Sequence, residues 1–408
     1  MKHDIYLVDP EGDVELVVKP GTTTLSEEEA LFEDPPTPRG LQWPQQQPLD
    51  TTEDSPPIKP TTIRIRKVRD LSGRYYESFS DGMLWHADQS SGGDRVEDDQ
   101  NSEAGPSGLD LFDDLKARIR VSSKHLKLAS AYFRRQLEGD WRESHDLKSK
   151  GFVEIPVLGD FHAIVILMNV IHGYTRKVPR SVDLNMLTNM AILVDYYEFH
   201  EAVEVLTEMW IGNLEQSLPT TYSPDLVKWV SISFVFRKKD IFQKMTTIAQ
   251  RHAKSAIQTL NLPILYRVID EIDLRRRQSL SRIVSALHNL IVEFRKDSIP
   301  CKEGNTFECN SMLLGTLTKE MESRGLLHCD PELASFDGIS FEVMVTSIRN
   351  IRSSQWASVR RTHHNDHYYN SPRSHSCQLG SHIIPFIESL EPSMCGLNLD
   401  DFLPKEAI

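Results

Sequence analysis

Hydrophobic and polar positions change period several times along the chain. Asp13-Val14-Glu15-Leu16-Val17-Val18-Lys19, between Gly12 and Pro20-Gly21, sets β-branched residues between turn formers and predicts a strand. Ala117-Arg118-Ile119-Arg120-Val121 alternates and predicts a second strand. Phe152 to Val157 predicts a third, and Pro156 suits an edge or a strand end. After the second strand, Ser122 and Ser123 offer a cap, and Leu126, Tyr132, Phe133 and Leu137 follow at near-helical spacing. Asp160 caps a predicted helix over 161–171, and further helices are predicted over 181–199 and 200–214. Two strands, a helix, a strand and then helices predict an α+β fold, a small mixed sheet capped by a helical cluster.

Beyond Pro219 the pattern is helical throughout, over 225–236, 240–257, 263–296, 310–327 and 339–351, which predicts an all-α C-terminal region. Arg275-Arg276-Arg277 lies inside one of these helices and reads as a solvated face. No period of 20 to 50 residues repeats, which argues against a solenoid.

Charge divides the chain differently. Residues 21–115 hold 20 Asp/Glu against 8 Lys/Arg, a net of −12 out of the formal −13, and nine of the 22 prolines. That composition buries too little apolar surface to offset chain entropy and predicts a mostly disordered acidic, Pro-rich segment, with Thr62 to Val68 as one strand-like exception. The balanced remainder has no basic stripe, which argues against direct nucleic-acid binding. No run of about 18 apolar residues suggests a membrane span. Met1 to Pro10 lacks the apolar stretch of a secretory signal. The five cysteines lie in the last part of the chain, no Asn-x-Ser/Thr sequon occurs, and an odd thiol count fits a reduced compartment. The expected location is intracellular, with cytoplasm and nucleus both open.

Gly12 to Val18, and then Ile119, Val121, Leu126, Ser130, Tyr132 and Phe133, carry a resemblance to the BTB/POZ family. An Asp-Val first strand precedes a strand that runs into a helix with Leu, Ser and Tyr-Phe at fixed offsets. Trp141-Arg142-Glu143-Ser144 looks like the family's exit from that helix, and the C-terminal half looks like the companion region of filamentous-fungal BTB proteins. The resemblance places the first strand in 1–21 and the rest of the domain in 115–218, with an insertion over 22–114 and a helical C-terminal region over 219–408. Ile119 replaces the family's usual aromatic and Ser122 its usual His. Roughly 95 residues replace a short turn, which is thermodynamically tolerable because loop-closure entropy grows only logarithmically. A true insertion and an untranslated stretch retained in the gene reading both fit the boundaries.

The resemblance implies self-association, or association with another BTB protein, through the first strand and first helix. Val14, Leu16, Val121, Leu126, Tyr132 and Phe133 supply the apolar bulk for that interface. It also implies that Trp141 and Glu143 can form a contact to a cullin scaffold, as in substrate adaptors of ubiquitin ligases, with a helix-terminal salt bridge as the plainer role for Glu143. Read from the residues alone, Asp13 is a structural acceptor at a strand start, and neither it nor His125 has a placed catalytic partner. No phosphate loop, nucleophile elbow or His-Glu-x-x-His pair occurs, so a non-catalytic role is expected. An enzyme with a site around Cys377 in the C-terminal half is the remaining alternative.

One metal set stands out. Cys301 and Cys309 are separated by seven residues, and His375 and Cys377 add two ligands far downstream. Three thiolates and an imidazole can close a tetrahedral structural zinc site, although the spacing is not Cys-x-x-Cys and buried small hydrophobes are the commoner role for such thiols. No other cofactor is expected. His363, His364 and His367 read as a solvated loop.

Overall fold

The computed structural model describes residues 5–19, 66–69, 75–78, 117–354, 356–358 and 373–403. Among them the strands are β1 (Ile5–Leu7), β2 (Val14–Lys19), β3 (Arg66–Arg69), β4 (Tyr75–Ser78), β5 (Ala117–Val121), β6 (Val153–Leu158), β7 (Ala357–Ser358) and β8 (Arg373–Ser374). The early helices are α1 (Ser123–Ala129), α2 (Ala131–Glu138), α3 (Arg142–Lys150), α4 (Phe161–Ile171), α5 (Leu184–Tyr197) and α6 (His200–Leu214). The later ones are α7 (Pro224–Val235), α8 (Lys239–His252), α9 (Tyr266–Arg295), α10 (Thr306–Ser323), α11 (Phe341–Arg349) and α12 (Gly380–Leu390).

Residues 46–113 form a unit of their own. Its described part is an antiparallel pair, β3 with β4, so Arg66 to Val68 of the strand-like stretch pair with Tyr76 to Ser78. The rest of the predicted disordered insertion lies outside the described residues.

In the other unit the strands β1, β5, β2 and β6 form one sheet in that order. β2 runs antiparallel to β5, with Val14 opposite Val121 and Leu16 opposite Ile119, and parallel to β6, with Leu16 opposite Ile155. Side chains alternate across a strand, so Val14, Leu16 and Val18 share one face with Ile119, Val121, Val153, Ile155 and Val157, and all are buried. Each such side chain contributes about 1.5–3 kcal/mol when taken from water. On the opposite face Glu15 is buried too, paired with Arg118 and 3.6 Å from Arg120. The strand β1, parallel to β5, is too short at three residues to show a period, and the sequence pattern does not reveal it.

The helix predicted to run on through Leu137 is broken at Ser130, whose backbone is extended. Its hydroxyl donates to the Tyr197 carbonyl at 2.6 Å and accepts the Phe133 N–H at 3.0 Å, so this serine both ends α1 and caps α2. Trp141 lies just past the end of α2 at Glu138 and is the N-cap residue of the next helix, α3. Asp160 caps α4 as predicted, accepting from the Ala163 N–H at 2.8 Å.

Two buried clusters follow. The first joins the sheet, α1 to α8 and the start of α9, and the second joins the rest of α9 to α10, α11 and α12. The C-terminal region is therefore helical but not all-α, because β7 and β8 pair within it. Helix α12 is absent from the predicted set because Pro385 interrupts its pattern. The Arg275-Arg276-Arg277 run is not a solvated face throughout: Arg276 is 0% exposed. After α12 the chain returns to the first cluster, where the Gly396 N–H donates to Gln250 Oε1 and the Leu397 N–H to Thr246 Oγ1.

Gly396 has φ +81°, and an added Cβ would lie 2.2 Å from the Gln243 carbonyl oxygen. Gly396→Ala is thus expected to lower the urea midpoint by more than the usual surface substitution, at a cost of about 1–3 kcal/mol from the strained backbone. A midpoint unchanged from the parent chain would contradict this packing of the tail.

Candidate metal centre

The long helix α9 ends at Arg295, and a short connection leads to Cys301. The turn after Cys301 is closed by the Gly304 N–H donating to the Cys301 carbonyl at 3.2 Å, and Gly304 has φ +80°, a conformation that suits glycine. That turn aims the Glu303 N–H at Cys301 Sγ, 3.3 Å away. Asn305 then opens α10, and Cys309 lies in its early turns, 2% exposed against the second core. The partial positive charge of a helix start favours a thiolate there.

The other two ligands come from the strand pair. Trp356 precedes β7, and its carbonyl accepts the His375 N–H at 2.8 Å. Its indole stacks on the His375 ring, 4.1 Å between centroids and 15° between planes. The Cys377 N–H donates to His375 Nδ1 at 3.2 Å, which turns Nε2 toward Cys301 Sγ, also 3.2 Å away. Glu303 holds the same turn, its carboxylate accepting the Ser376 N–H at 2.9 Å and lying 3.8 Å from His375 Nε2.

The result is a compact donor set: one ligand atom from each of Cys301, Cys309, His375 and Cys377, all within 4.8 Å of one another. Sulfur atoms on a tetrahedral zinc with bonds of about 2.3 Å would stand about 3.8 Å apart, so the cluster needs only a small contraction to fit. Its electrostatics point the same way. Burial opposes ionisation of Cys301, but the N–H groups of Glu303 and Asn305, the His375 ring and Cys309 outweigh it and bring the thiol to about 7. Cys309 moves in the opposite direction, pushed up by burial and then by its hydrogen bonds to Cys377 and Cys301. Neighbouring thiolates therefore cannot all ionise cheaply here, and a divalent cation is the kind of charge that would let them.

All four ligands named from the sequence meet. Glu303 and Trp356 brace the site and were not legible in the sequence, since neither lies in a pattern that points to His375. Cys329 and Cys395 stand outside the cluster, and burial raises the Cys329 thiol to about 11. His363, His364 and His367 lie outside the described residues.

The residues named for an association surface fare differently. Val14, Leu16, Val121, Leu126 and Phe133 are buried in the chain's own core, and Tyr132 is half-buried between Phe133, Tyr196 and Tyr197. Their apolar surface is spent inside the chain, because β5 and α1 pack on α4 and α2 packs on α5. Leu128 on α1 and Leu7 on the neighbouring strand β1 remain exposed. Trp141 is 44% exposed, and Glu143 lies half-buried in the first turn of α3. Asp13 takes the structural role read for it, accepting from the Ser123 N–H and hydroxyl, each at 2.7 Å. His125 stacks on His172, 4.5 Å between centroids.

No described helix is long and apolar enough to cross a membrane. No protein-family model, curated protein or solved structure matches the chain.

Proposed function

We propose that the chain is a non-catalytic association module. It combines a BTB/POZ-type domain built from 5–19 and 117–218 with a helical C-terminal region held by a structural zinc on Cys301, Cys309, His375 and Cys377. The observation that carries the first half is the pairing of Leu16 with Ile119 and Ile155, which joins a strand before the acidic segment to two strands after it. The resemblance implies that the strand before the acidic segment and the first strand after it belong to one sheet. The donor set supports the second half: four N and S ligands close a tetrahedron without an open position, as in a structural rather than a catalytic zinc site. Bound zinc would supply charge that holds three thiolates together and would act as a cross-link.

Exposed apolar side chains on β1 and α1, Ile5, Leu7 and Leu128 at 38%, 49% and 79%, are available to a second copy. Light scattering of the full chain is expected to give twice the 46.7 kDa chain mass, and Leu128→Asp to shift the population toward monomer. A monomer at all accessible concentrations would overturn self-association.

A second reading rests on Trp141 and Glu143, which sit together at the start of α3 with the indole open to solvent. In it the chain is a substrate adaptor for a cullin ligase. Cullin retained on the immobilised chain and lost on Glu143→Lys would support this reading; no retention would remove it.

A further inference from the structure

The four ligands of the proposed zinc site are unequally protected. Cys309, His375 and Cys377 are buried, while Cys301 is only partly covered. A metal keeps its coordinating thiols deprotonated, so the sulfur nearest to solvent is also a nucleophile. Two further sulfurs, those of Cys309 and Cys377, lie within 4.8 Å of it. An oxidised Cys301 would therefore have a resolving thiolate within 4.8 Å. The remaining thiols differ: Cys395 is exposed and Cys329 is partly covered, and neither belongs to the ligand cluster.

From this arrangement we infer that Cys301 is a modification site, oxidised by hydroperoxides, and that its oxidation opens the zinc clasp. The inference rests on the zinc reading above. The Cys301 sulfur attacks one oxygen of the hydroperoxide, the O–O bond breaks, and the leaving hydroxide or alkoxide takes up a proton. Cys301 becomes a sulfenic acid, oxidised by two electrons, and the hydroperoxide is reduced by two. The Cys309 thiolate then attacks that sulfur, the S–O bond breaks, and hydroxide leaves to give a Cys301–Cys309 disulfide. The metal loses two of its four ligands and departs as the hydrated ion.

The consequence reaches beyond the thiols. His375 and Cys377 are fixed to Cys301 and Cys309 through the metal, and His375 is the anchor on which Trp356 stacks. Losing the metal leaves the Ser376 N–H bond to Glu303 between the end of β8 and the Cys301 turn, while the His375 bond to Trp356 lies within the strand pair itself. A peroxide signal would thus loosen the second core, where the four ligands meet, rather than the whole chain.

The test uses the full chain, purified reduced with zinc. Zinc content before oxidant tests the zinc reading itself: about one ion per chain supports it, and none overturns it together with this inference. Hydrogen peroxide is then titrated while released zinc is followed with a chromogenic chelator and disulfides are mapped by peptide mass. The expected result is one zinc released per Cys301–Cys309 disulfide formed, with rebinding after dithiothreitol and zinc are added. Cys301→His keeps four ligands and removes the accessible thiol, and should release zinc at least about tenfold more slowly. Zinc retained at doses that oxidise Cys395, or release from Cys301→His as fast as from the parent, would overturn the inference while leaving the structural site intact.

Discussion

Stripping zinc from the full chain with a strong chelator is expected to unfold the second core while the first retains its structure. The metal is expected at about one ion per chain, and its binding free energy is on the order of 10 kcal/mol for structural sites of this kind. The second core depends on it in a specific way. Cys309 and Cys377 are members of that core, and the two segments that carry the four ligands, 301–309 and 375–377, are separated by more than sixty residues of chain. Hydrogen exchange should show the loss: amides of α10, α11 and α12 exchange faster in the stripped chain, and amides of β2, β5 and α5 do not change.

Cys309→Ser separates this account from the plainer one. A thiol acting as a small buried hydrophobe would cost about 1–3 kcal/mol on replacement by a hydroxyl, with zinc content unaffected. A ligand would take the zinc with it, and the apparent melting temperature would fall to that of the stripped parent. Cys395→Ser, at an exposed thiol outside the cluster, should leave both readings unchanged. Parent-like zinc content and melting temperature for Cys309→Ser would end the metal assignment.

The parts of this molecule that the sequence discloses are those where one residue class repeats at a fixed interval. Val14, Leu16 and Val18 alternate with side chains on the other face, so strand and buried face follow from the period, whereas the pairing across the acidic segment came from the resemblance. Asp160 stands directly before an apolar run and caps it. What stayed hidden is set by tertiary contact. Ser130 could cap or sit within a helix, and it breaks one because the Tyr197 carbonyl is there to take its hydroxyl. Likewise, apolar residues on the first helix do not declare whether they face a partner or their own core; Leu126 faces inward and Leu128 outward. The candidate ligands lay between these cases. Residue type picked out the four side chains that meet, but nothing in the spacing brings 301–309 to 375–377; the strand pair and α10 do that.

Arg276 shows how a residue can be misread when its signal is present. In α9 the buried positions include Ile269, Ile272, Arg276, Ser279, Ile283 and Leu287, steps of three and four that place Arg276 on the inner seam. Its two neighbours fall about 100° to either side and reach water, so a run of three arginines conceals one that does not. The seam also explains how the charge is tolerated. One guanidinium nitrogen donates to the Phe336 and Ile339 carbonyls, each at 2.8 Å, and the others to Asp273 at 2.7 and 3.0 Å. Asp273 is shared with Arg277 at 2.8 Å. The two carbonyls belong to the turn before α11, where Phe336 has φ +57°, so Arg276 fixes the entry of that helix into the second core.

Arg276→Ala is therefore expected to cost about 3–5 kcal/mol, because it removes one partner of a buried ion pair and takes the guanidinium donor away from the Phe336 and Ile339 carbonyls. Arg276→Met keeps more of the apolar packing and still loses the donors, so it should recover only part of that cost. Arg277→Ala, at a half-exposed pair, should cost about 1 kcal/mol or less. Urea unfolding with zinc present throughout would measure all three. A cost for Arg276→Ala no greater than that for Arg277→Ala would mean that Arg276 does not hold the α11 entry in solution.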